Sequence, residues 1–532
     1  MLSYDAIIIG SGTNELTAAC YLAKARLRVL VLEPRGTVGG TAAFDEIGAL
    51  GGGFRIETCG QSSGWLSPKI IRDLSLTAHG LEVEMADPTV FSPIAGGDSL
   101  VLWQDMEKSK EAIKKFSPAD AEKWEPFCTR MAHLAGFLEM LHQTEAPRLM
   151  SPATGDVMTL MGLGLKLRRL GKVDMIELLR TLPMSLSDLL DDWFETDVLQ
   201  GTVAAGGLAN LFQGPRSQGT CFSMLHHVVG RPVGAFRSRS VVKNERGHLA
   251  SVLAAAAKAL GVEVRTGTAA EIVVKDGRAT GVHLKSGEII EAKNVVSGAD
   301  PRRTFLELMD PIHLEPEFVR AAKNVKCRGV RAFVNLALGE LPKFTSGPAD
   351  GSHLRGVISI SPTLDYLERA YDDAKHGGVS KALFLEATIP SLTDPSLAPG
   401  GKHVMSVAVQ YVPYKTREGV WDAASKDKLA DQVIDQLAEY APNMKRAVAA
   451  RQVWTPKDLE ETHGLTEGNL YQGELTLDQI LFMRPLPGFA HYRTPIEGLF
   501  MCGDATHPGA GLPGLSGANA AREITKGATS RE

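Results

Sequence analysis

Three residues near the start of the chain have the types and the spacing of a nucleotide-binding turn. Gly10 and Gly12 follow an apolar run that begins at Tyr4, and Glu33 ends a second apolar run that begins at Val29. A first glycine allows a tight turn, a second lets backbone N–H groups approach a pyrophosphate, and an acid about 20 residues on accepts a hydrogen bond from a ribose hydroxyl. The pattern predicts a strand, a glycine turn, a helix and a second strand that bind a dinucleotide.

The third glycine of this motif is missing, because Glu15 stands in its place. The usual task of that glycine is to let the helix pack closely on the strand. Glu15 therefore weakens the match, but it does not remove the expected phosphate contacts.

A second glycine turn follows Glu33. Gly39 and Gly40 let the backbone pass close to a bulky group. A flavin with its ribityl chain and pyrophosphate suits such a turn, whereas a nicotinamide site does not need one at this place. The predicted cofactor contacts of the N-terminal unit are Gly10, Gly12, Thr13, Asn14, Glu33, Pro34, Arg35, Gly39, Gly40 and Thr41.

The C-terminal segment carries a third glycine-rich turn. A short apolar strand leads to Gly503 and Asp504, and the glycines from 509 to 514 precede a final helix. The acid can accept hydrogen bonds from ribityl hydroxyls, and the positive end of the helix can stabilise charge on a reduced flavin. The predicted contacts here are Gly503, Asp504, Gly511, Leu512 and Pro513. Because no second strand and acid follow these glycines, we do not expect a second nucleotide site.

Three side chains are candidates for the chemical step. Flavin dehydrogenation needs a C–H bond held over the flavin and a base for any acidic proton. His507 lies in the C-terminal glycine segment and is either that base or a structural histidine. Asp478 and Arg484 precede the last strand, and they either line the substrate side of the flavin or form ion pairs at a helix end. Two further residues share that region and both interpretations: His463 and Tyr471.

No metal site is predicted. His226 and His227 are neighbours in the sequence, and adjacent helical residues do not share a face. No carboxylate stands near them at the spacing of a metal ligand.

The segments between the motifs predict an α/β fold. After an alanine-rich helix from His248 to Leu260 come short strands with turn signals, and then a buried strand over 294–298. A Rossmann-like parallel sheet with an antiparallel meander would form a discontinuous FAD-binding domain from residues 1–75, 238–310 and 481–532. An inserted α+β substrate domain would take residues 76–237, which read as helical, and 311–480.

Composition excludes several classes of protein. The chain has 532 residues, of which 44% are hydrophobic, so it can bury cores for two or three domains. Its net charge of −5 gives no electrostatic case for nucleic acid. Six scattered cysteines without a CxxC pair indicate buried thiols in a reducing compartment and disfavour disulfide redox chemistry. The first apolar run reads as a strand and not as a signal peptide, and no 18 consecutive residues are apolar. We therefore expect a cytoplasmic protein.

One segment allows a contact with a membrane surface. Residues 158–172 are apolar and include a basic cluster, Lys166 to Lys172. A helix that lies on a bilayer would give access to substrate dissolved in lipid. The alternative, favoured by the scatter of the charges, is a core helix whose cations reach the solvent.

With both ends considered, the sequence resembles the phytoene desaturase superfamily of FAD enzymes along essentially its whole length. Within it, the beta-carotene ketolase and carotenoid-desaturase-like branch is the most similar. The resemblance rests on Gly10–Asn14, Val29–Glu33, Val38–Gly40, Ser297–Arg303, Leu477–Gln479, Met483–Pro487, Tyr492–Ile496 and Gly503–Gly514. It implies FAD, a substrate domain with an apolar tunnel, and oxidation of a lipophilic molecule by hydride transfer to flavin N5. Cys502 lies in an apolar strand, so we expect the FAD to be bound non-covalently.

Three functions are open on the sequence alone. The first is an FAD-dependent desaturase or oxidase of an isoprenoid- or carotenoid-like substrate. The second is a flavin amine oxidase or a dehydrogenase of a smaller alicyclic compound, and the third is a flavin-stabilised interaction protein without turnover. Because we find no second dinucleotide-binding unit, we expect oxygen or a quinone to reoxidise the flavin. The oligomeric state is not predicted.

Overall fold

The computed structural model describes residues 4–47, 53–59, 64–146, 154–235, 237, 240–243 and 249–529. Its strands are β1 (Tyr4–Ile9), β2 (Val29–Leu32), β3 (Phe44–Glu46), β4 (Arg55–Glu57), β5 (Glu82–Met85), β6 (Val90–Ile94), β7 (Asp98–Leu102), β8 (Ser240–Lys243), β9 (Glu263–Arg265), β10 (Ala270–Lys275), β11 (Arg278–Leu284), β12 (Ile289–Ser297), β13 (Arg331–Leu338), β14 (Val357–Ile360), β15 (Phe384–Thr388), β16 (His403–Gln410), β17 (Val448–Trp454) and β18 (Leu499–Met501).

The helices are α1 (Thr13–Lys24), α2 (Pro68–Asp73), α3 (Met106–Lys114), α4 (Pro118–His142), α5 (Thr154–Arg169), α6 (Gly171–Thr181), α7 (Leu186–Trp193), α8 (Asp197–Leu208), α9 (Thr220–Val228), α10 (Leu249–Ala259), α11 (Pro301–Leu306), α12 (Pro316–Lys323), α13 (Leu364–Lys375), α14 (Ala423–Tyr440), α15 (Met444–Ala447), α16 (Pro456–His463) and α17 (Leu515–Thr529).

The first sheet carries the predicted nucleotide-binding unit. Its order is β10-β11-β12-β1-β2-β9, and β18 lies beside β12. The strands β18, β12, β1, β2 and β9 pair in parallel, whereas β10, β11 and the start of β12 form an antiparallel meander. Parallel strands covered on both faces are apolar throughout, and every residue of β2 is buried. The predicted α/β class, with a Rossmann-like sheet and a meander, is confirmed.

The second sheet has the order β17-β13-β16-β15-β14-β6-β7. It is antiparallel except where β14 pairs with β6. One face buries Leu429, Val433 and Leu437 of α14 against it. This sheet is the α+β insertion that the sequence predicts, although the exact domain boundaries stay a prediction.

Two local predictions differ from the structure. The meander and the strand predicted over 294–298 are one continuous strand, β12, because its first half pairs with β11 and its second half with β1. The segment 76–237 is not wholly helical, since β6 and β7 join the second sheet. Within the predicted helix 248–260, the described residues form α10 over Leu249–Ala259, and residues 244–248 lie outside the described part.

The helix pair α5–α6 lies at the surface. Seven of the 14 large exposed hydrophobic side chains found in the described residues belong to it, namely Val157, Met158, Met161, Leu165, Val173, Ile176 and Leu179. The interpretation of this segment as a core helix is therefore wrong. The pattern misled because a stripe of apolar residues looks the same whether protein or another phase covers it.

Candidate functional site

A cleft opens at the carboxyl ends of β1 and β2, in front of the N-terminus of α1. It encloses about 1150 Å³ of space that protein atoms do not fill. Eleven predicted cofactor contacts line it: Gly10, Gly12, Thr13, Asn14, Glu33, Pro34, Arg35, Gly39, Gly40, Thr41 and Asp504. The structure thus brings together the N-terminal unit and the acid of the C-terminal segment, while the contacts of these residues with a cofactor stay predictions.

Two glycines need their conformational freedom here. Gly10 has φ +104° and Gly39 has φ +122°, values that residues with a Cβ rarely adopt. The first turns the chain from β1 into α1. The second returns the chain after β2 towards the same helix, where the N–H of Gly39 donates to the carbonyl of Ser11 over 3.1 Å.

Glu33 is buried at the end of β2, with 4% of its surface exposed. One carboxylate oxygen accepts a hydrogen bond from the Ser11 hydroxyl, and the other accepts one from the Arg35 N–H at 2.9 Å. These donors fix the carboxylate at the wall of the cleft, where the sequence predicts that it binds a ribose.

Asp504 enters the cleft from the loop after β18. Its Oδ1 accepts a hydrogen bond from the side-chain amide of Asn14 at 2.8 Å. Burial raises the pKa of Asp504 to about 6. Among the described residues, the buried Oδ1 of Asn14 has no hydrogen-bond partner, so this amide retains an acceptor for a ligand.

The other predicted contacts of the C-terminal segment do not line this cleft. Gly503, Gly511, Leu512 and Pro513 lie outside its lining residues. Gly503 is required by a close backbone contact, because a Cβ there would lie 2.1 Å from the carbonyl oxygen of Gly298.

Glu15 also lines the cleft, and its side chain is buried. Burial is the main cause that raises its pKa to about 8, and the charges of Asp504 and Glu33 add to this effect. The motif predicts only a packing role at this position, yet Glu15 places a third acid at the cleft.

Sequence analysis missed most of the far wall of the cleft. Its lining also includes Ser11, Gly298, Arg303, Thr462, Gly464, Leu465, Leu470 and Gln472. Ser11 lies inside the glycine motif and could have been found from its position. The others come from segments far apart in the chain, and no local pattern marks them.

His507 is buried and is held by the protein. Its Nε2 lies 3.1 Å from the carbonyl oxygen of Leu141. Burial lowers its pKa to about 4, so the ring is neutral near neutral pH. It does not line the cleft, and this placement favours the structural interpretation over the catalytic one.

Asp478 and Arg484 also lie where a catalytic role finds no support. Asp478 is exposed and forms an ion pair with Lys326 at 2.7 Å. Arg484 is buried, and its guanidinium donates to backbone carbonyls, including those of Tyr471 at 2.6 Å and Asp504 at 2.7 Å. Asp478 is therefore a surface ion pair, and Arg484 is a support beneath the cleft.

A row of buried polar side chains starts at the C-terminal glycine segment. A Cβ on Gly511 would lie 3.4 Å from the ring of His227, and Nε2 of His227 lies 3.0 Å from the Tyr471 hydroxyl. Tyr471 in turn interacts with the side chain of Asn210. Burial lowers the pKa of His227 well below its usual value, so this ring is neutral.

The row continues into the second sheet. Nη1 of Arg331 lies 3.5 Å from Oδ1 of Asn210, and its Nη2 donates to Glu386 at 2.6 Å. Glu386 also pairs with Arg237. Two guanidinium groups thus share one carboxylate, and the Nε of Arg331 has no hydrogen-bond partner among the described residues. We call the following residues the polar chain: His227, Tyr471, Asn210, Arg331, Glu386 and Arg237.

The histidine pair 226–227 does not form a metal site with carboxylates. His226 lies 3.2 Å from Nε2 of His142 and 2.7 Å from the carbonyl oxygen of Ala510. The described residues contain one group with metal-ligand geometry, Glu145, His491 and Glu523. Both of its carboxylates already form ion pairs, with Lys526 and Arg493 respectively.

All six cysteines are buried and unpaired, as predicted. Burial raises the pKa of the Cys502 thiol well above its usual value. A protonated, buried thiol is a poor nucleophile, which is consistent with non-covalent cofactor binding.

Comparison with known proteins gives one family and several full-length relatives. The sequence profile described as flavin containing amine oxidoreductase matches residues 16–525. A rat protein, pyridine nucleotide-disulfide oxidoreductase domain-containing protein 2, is 34% identical over 98% of this chain and 93% of its own length. A limonene dehydrogenase from Castellaniella defragrans is 25% identical over 98% and 94%, and the lycopene-forming phytoene desaturase of a Paracoccus species is 24% identical over 96% and 95%.

These similarities refine the resemblance drawn from the sequence. Phytoene desaturases are relatives, but at 24% identity they are more distant than the rat protein at 34%. The similarity is therefore not specific to the carotenoid branch.

Proposed function

The chain belongs to the family of flavin-containing amine oxidoreductases, and from this premise we propose that it is an FAD enzyme that dehydrogenates a neutral, apolar, isoprenoid-like substrate. The observation that carries the proposal is the charge of the polar chain, which does not suit an ammonium group. The prediction of an FAD-dependent oxidoreductase is confirmed at the level of the family.

The residues of the cleft fit FAD at its adenosine end. The glycine turn at Gly10, the N-terminus of α1 and the buried carboxylate of Glu33 are the three parts that a dinucleotide site needs. The unpaired Oδ1 of Asn14 can accept a further hydrogen bond. Bound FAD would supply the two-electron acceptor, whereas the protein supplies binding and orientation.

An amine substrate would meet an unfavourable electrostatic environment along the polar chain. Arg331 and Arg237 carry two positive charges against the one negative charge of Glu386, and His227 is neutral. A protonated amine near this net positive charge would be repelled in a medium of low dielectric constant. A neutral substrate escapes that cost, which favours the isoprenoid function over the amine function.

Two relatives support the same choice. Their names record dehydrogenation of limonene and desaturation of phytoene, and both compounds are isoprenoid hydrocarbons. The smaller alicyclic substrate predicted as an alternative is therefore kept within the proposal as one size class of isoprenoid. The electron acceptor that we propose is oxygen or a membrane quinone.

Anaerobic reduction of the bound FAD tests the proposal. We expect an isoprenoid hydrocarbon, either a cyclic monoterpene or an acyclic carotenoid precursor, to bleach the flavin absorbance in single-turnover experiments. Cyclohexylamine and putrescine should leave the absorbance unchanged, because their ammonium groups are repelled by the polar chain. Faster bleaching by an amine than by every hydrocarbon would contradict the proposal. Bleaching by no compound of either panel would favour the interaction protein without turnover.

A lipophilic substrate has to leave a membrane or a carrier, and we propose that α5–α6 touches a lipid surface. Its exposed apolar side chains lie near four exposed cations, Lys166, Arg168, Arg169 and Lys172. Apolar anchors beside basic groups are the features of a helix that binds an anionic bilayer. Within the described residues, no helix has both the length and the apolar character needed to cross a bilayer.

Vesicle co-sedimentation tests this surface. We expect binding to vesicles that contain phosphatidylglycerol, weaker binding to pure phosphatidylcholine, and a loss of affinity on the order of tenfold in Met161→Glu, since the variant exposes a charge to the acyl chains. Ile312→Glu is a matched control, because Ile312 is 80% exposed but lies outside α5–α6. Equal losses in both variants would contradict the assignment.

A further inference from the structure

The carboxyl group of Glu15 lies where the glycine motif predicts a pyrophosphate. A Cβ on Gly12 would lie 2.5 Å from Oε2 of Glu15, and a Cβ on Gly298 would lie 2.3 Å from Oε1. The second glycine of the motif lacks a side chain so that a phosphate can approach the backbone. In this chain, the space that Gly12 leaves open is filled by the Glu15 carboxyl group.

The backbone groups that would bind a phosphate also bind this carboxyl group. Hydrogen bonds from the backbone of Gly12 and of Glu15 itself stabilise its ionised form. The N-terminus of a helix attracts any anion in front of it. A carboxylate on Glu15 and a pyrophosphate would therefore compete for the same N–H groups.

The groups that face Glu15 from the neighbouring elements are acidic or neutral. Glu33 after β2 and Asp504 after β18 both disfavour its ionisation, and burial disfavours it more strongly. Cys502, at the end of β18, is an uncharged thiol because burial raises its pKa. These neighbours add no positive charge that could hold an ionised Glu15 beside a pyrophosphate.

The cations of the cleft are bound elsewhere. Arg35 pairs with Asp45 at 3.4 Å, and Arg303 lies 3.7 Å from an acid one turn along its own helix. His463 is neutral, because burial and the charge of Arg35 lower its pKa to about 3. Among the residues with described positions, Glu15 forms no ion pair. With the two phosphate charges in place, an ionised Glu15 would be surrounded by negative charge.

We propose that Glu15 couples FAD binding to the uptake of one proton from solvent. The ionised side chain occupies the pyrophosphate position, and protonation of its carboxylate releases the backbone N–H groups to the cofactor. Glu15 is thus a residue that sets cofactor affinity according to pH. The inference concerns the cofactor site alone and holds whatever the substrate is.

The test is the pH dependence of the Kd for FAD. Full-length holoprotein is diluted stepwise between pH 7 and 9, and the released FAD is measured by its fluorescence. Since the pKa of Glu15 is about 8, a one-proton linkage predicts a Kd about tenfold higher at pH 9 than at pH 7. The affinity is lost as pH rises, because FAD binds the protonated form and that form becomes scarce above the pKa.

Two variants separate charge from size. Glu15→Gln keeps the volume without the charge, so its Kd should be the same at pH 7 and pH 9, and Glu15→Ala should also give a flat profile. Glu46→Gln is the control, because Glu46 is an exposed acid outside the cleft, and it should keep the tenfold rise. A wild-type Kd that changes less than twofold over this range, or an equal rise in wild type and Glu15→Gln, would overturn the proposal.

Discussion

The Glu33→Ala variant is expected to purify largely without FAD. The variant loses the carboxylate that the sequence and the structure both place at the ribose end of the cleft. A hydrogen bond to a charged group contributes about 1.5–3 kcal/mol. That loss corresponds to a Kd for FAD higher by roughly 10- to 150-fold.

The measurement is the ratio of flavin to protein absorbance after gel filtration, followed by titration with FAD. Glu33 also accepts hydrogen bonds from Ser11 and Arg35, so part of the effect could come from a disordered turn. Ser11→Ala removes one of these internal bonds and keeps the carboxylate, and it should retain most of the FAD. Full flavin occupancy in Glu33→Ala would mean that the first strand–helix–strand unit does not bind the ribose.

The N-terminal half of the site could be predicted because its information is local. Gly10, Gly12 and Glu33 lie within one short unit, and the backbone geometry that each one needs follows from its own type and spacing. The apolar run of β2 and the turn signals of the meander are local in the same sense. For this reason, the order of elements in the first sheet followed from the sequence.

The far wall of the cleft could not be predicted in this way. Arg303, Leu465 and Gln472 reach it from three separate segments, and only the packing of the two sheets brings them to the cofactor side. The sequence names such residues but not their distance from Gly10. The same holds for the polar chain, whose members come from both sheets and from the helices and loops between them.

The catalytic candidates show a related limit. A buried arginine and an exposed aspartate near a cofactor segment have the same appearance in a sequence. Asp478 lies at the surface beside Lys326, whereas Arg484 lies in the interior among carbonyl groups. Exposure depends on the whole fold, so residue type and position alone did not distinguish a surface ion pair from an internal support.

Arg484→Met is expected to destabilise the protein by about 3–5 kcal/mol, the range seen when a buried charged group that satisfies its neighbours is removed. Arg484 is 2% exposed. Its guanidinium donates to the carbonyls of Tyr471 and Gly473 on one side and of Asp504 on the other. Burial lowers its pKa to about 10, yet the group stays charged near neutral pH. Methionine has a similar length but no N–H group, so it would leave these carbonyls buried without donors.

Thermal unfolding of the holoprotein measures this effect, with Arg446→Met as the matched control. Arg446 forms an exposed ion pair with Glu340 at 2.8 Å, and such pairs contribute little, about 0–1 kcal/mol. We therefore expect a large fall in Tm for Arg484→Met and almost none for the control. Because Arg484 joins the segment before β18 to the loop that carries Asp504, the destabilised variant should also lose FAD. A variant that keeps its Tm and its FAD but no longer accepts electrons from substrate would instead restore Arg484 to the chemical step. The number of carbonyls that share this one guanidinium is the reason to expect the structural outcome.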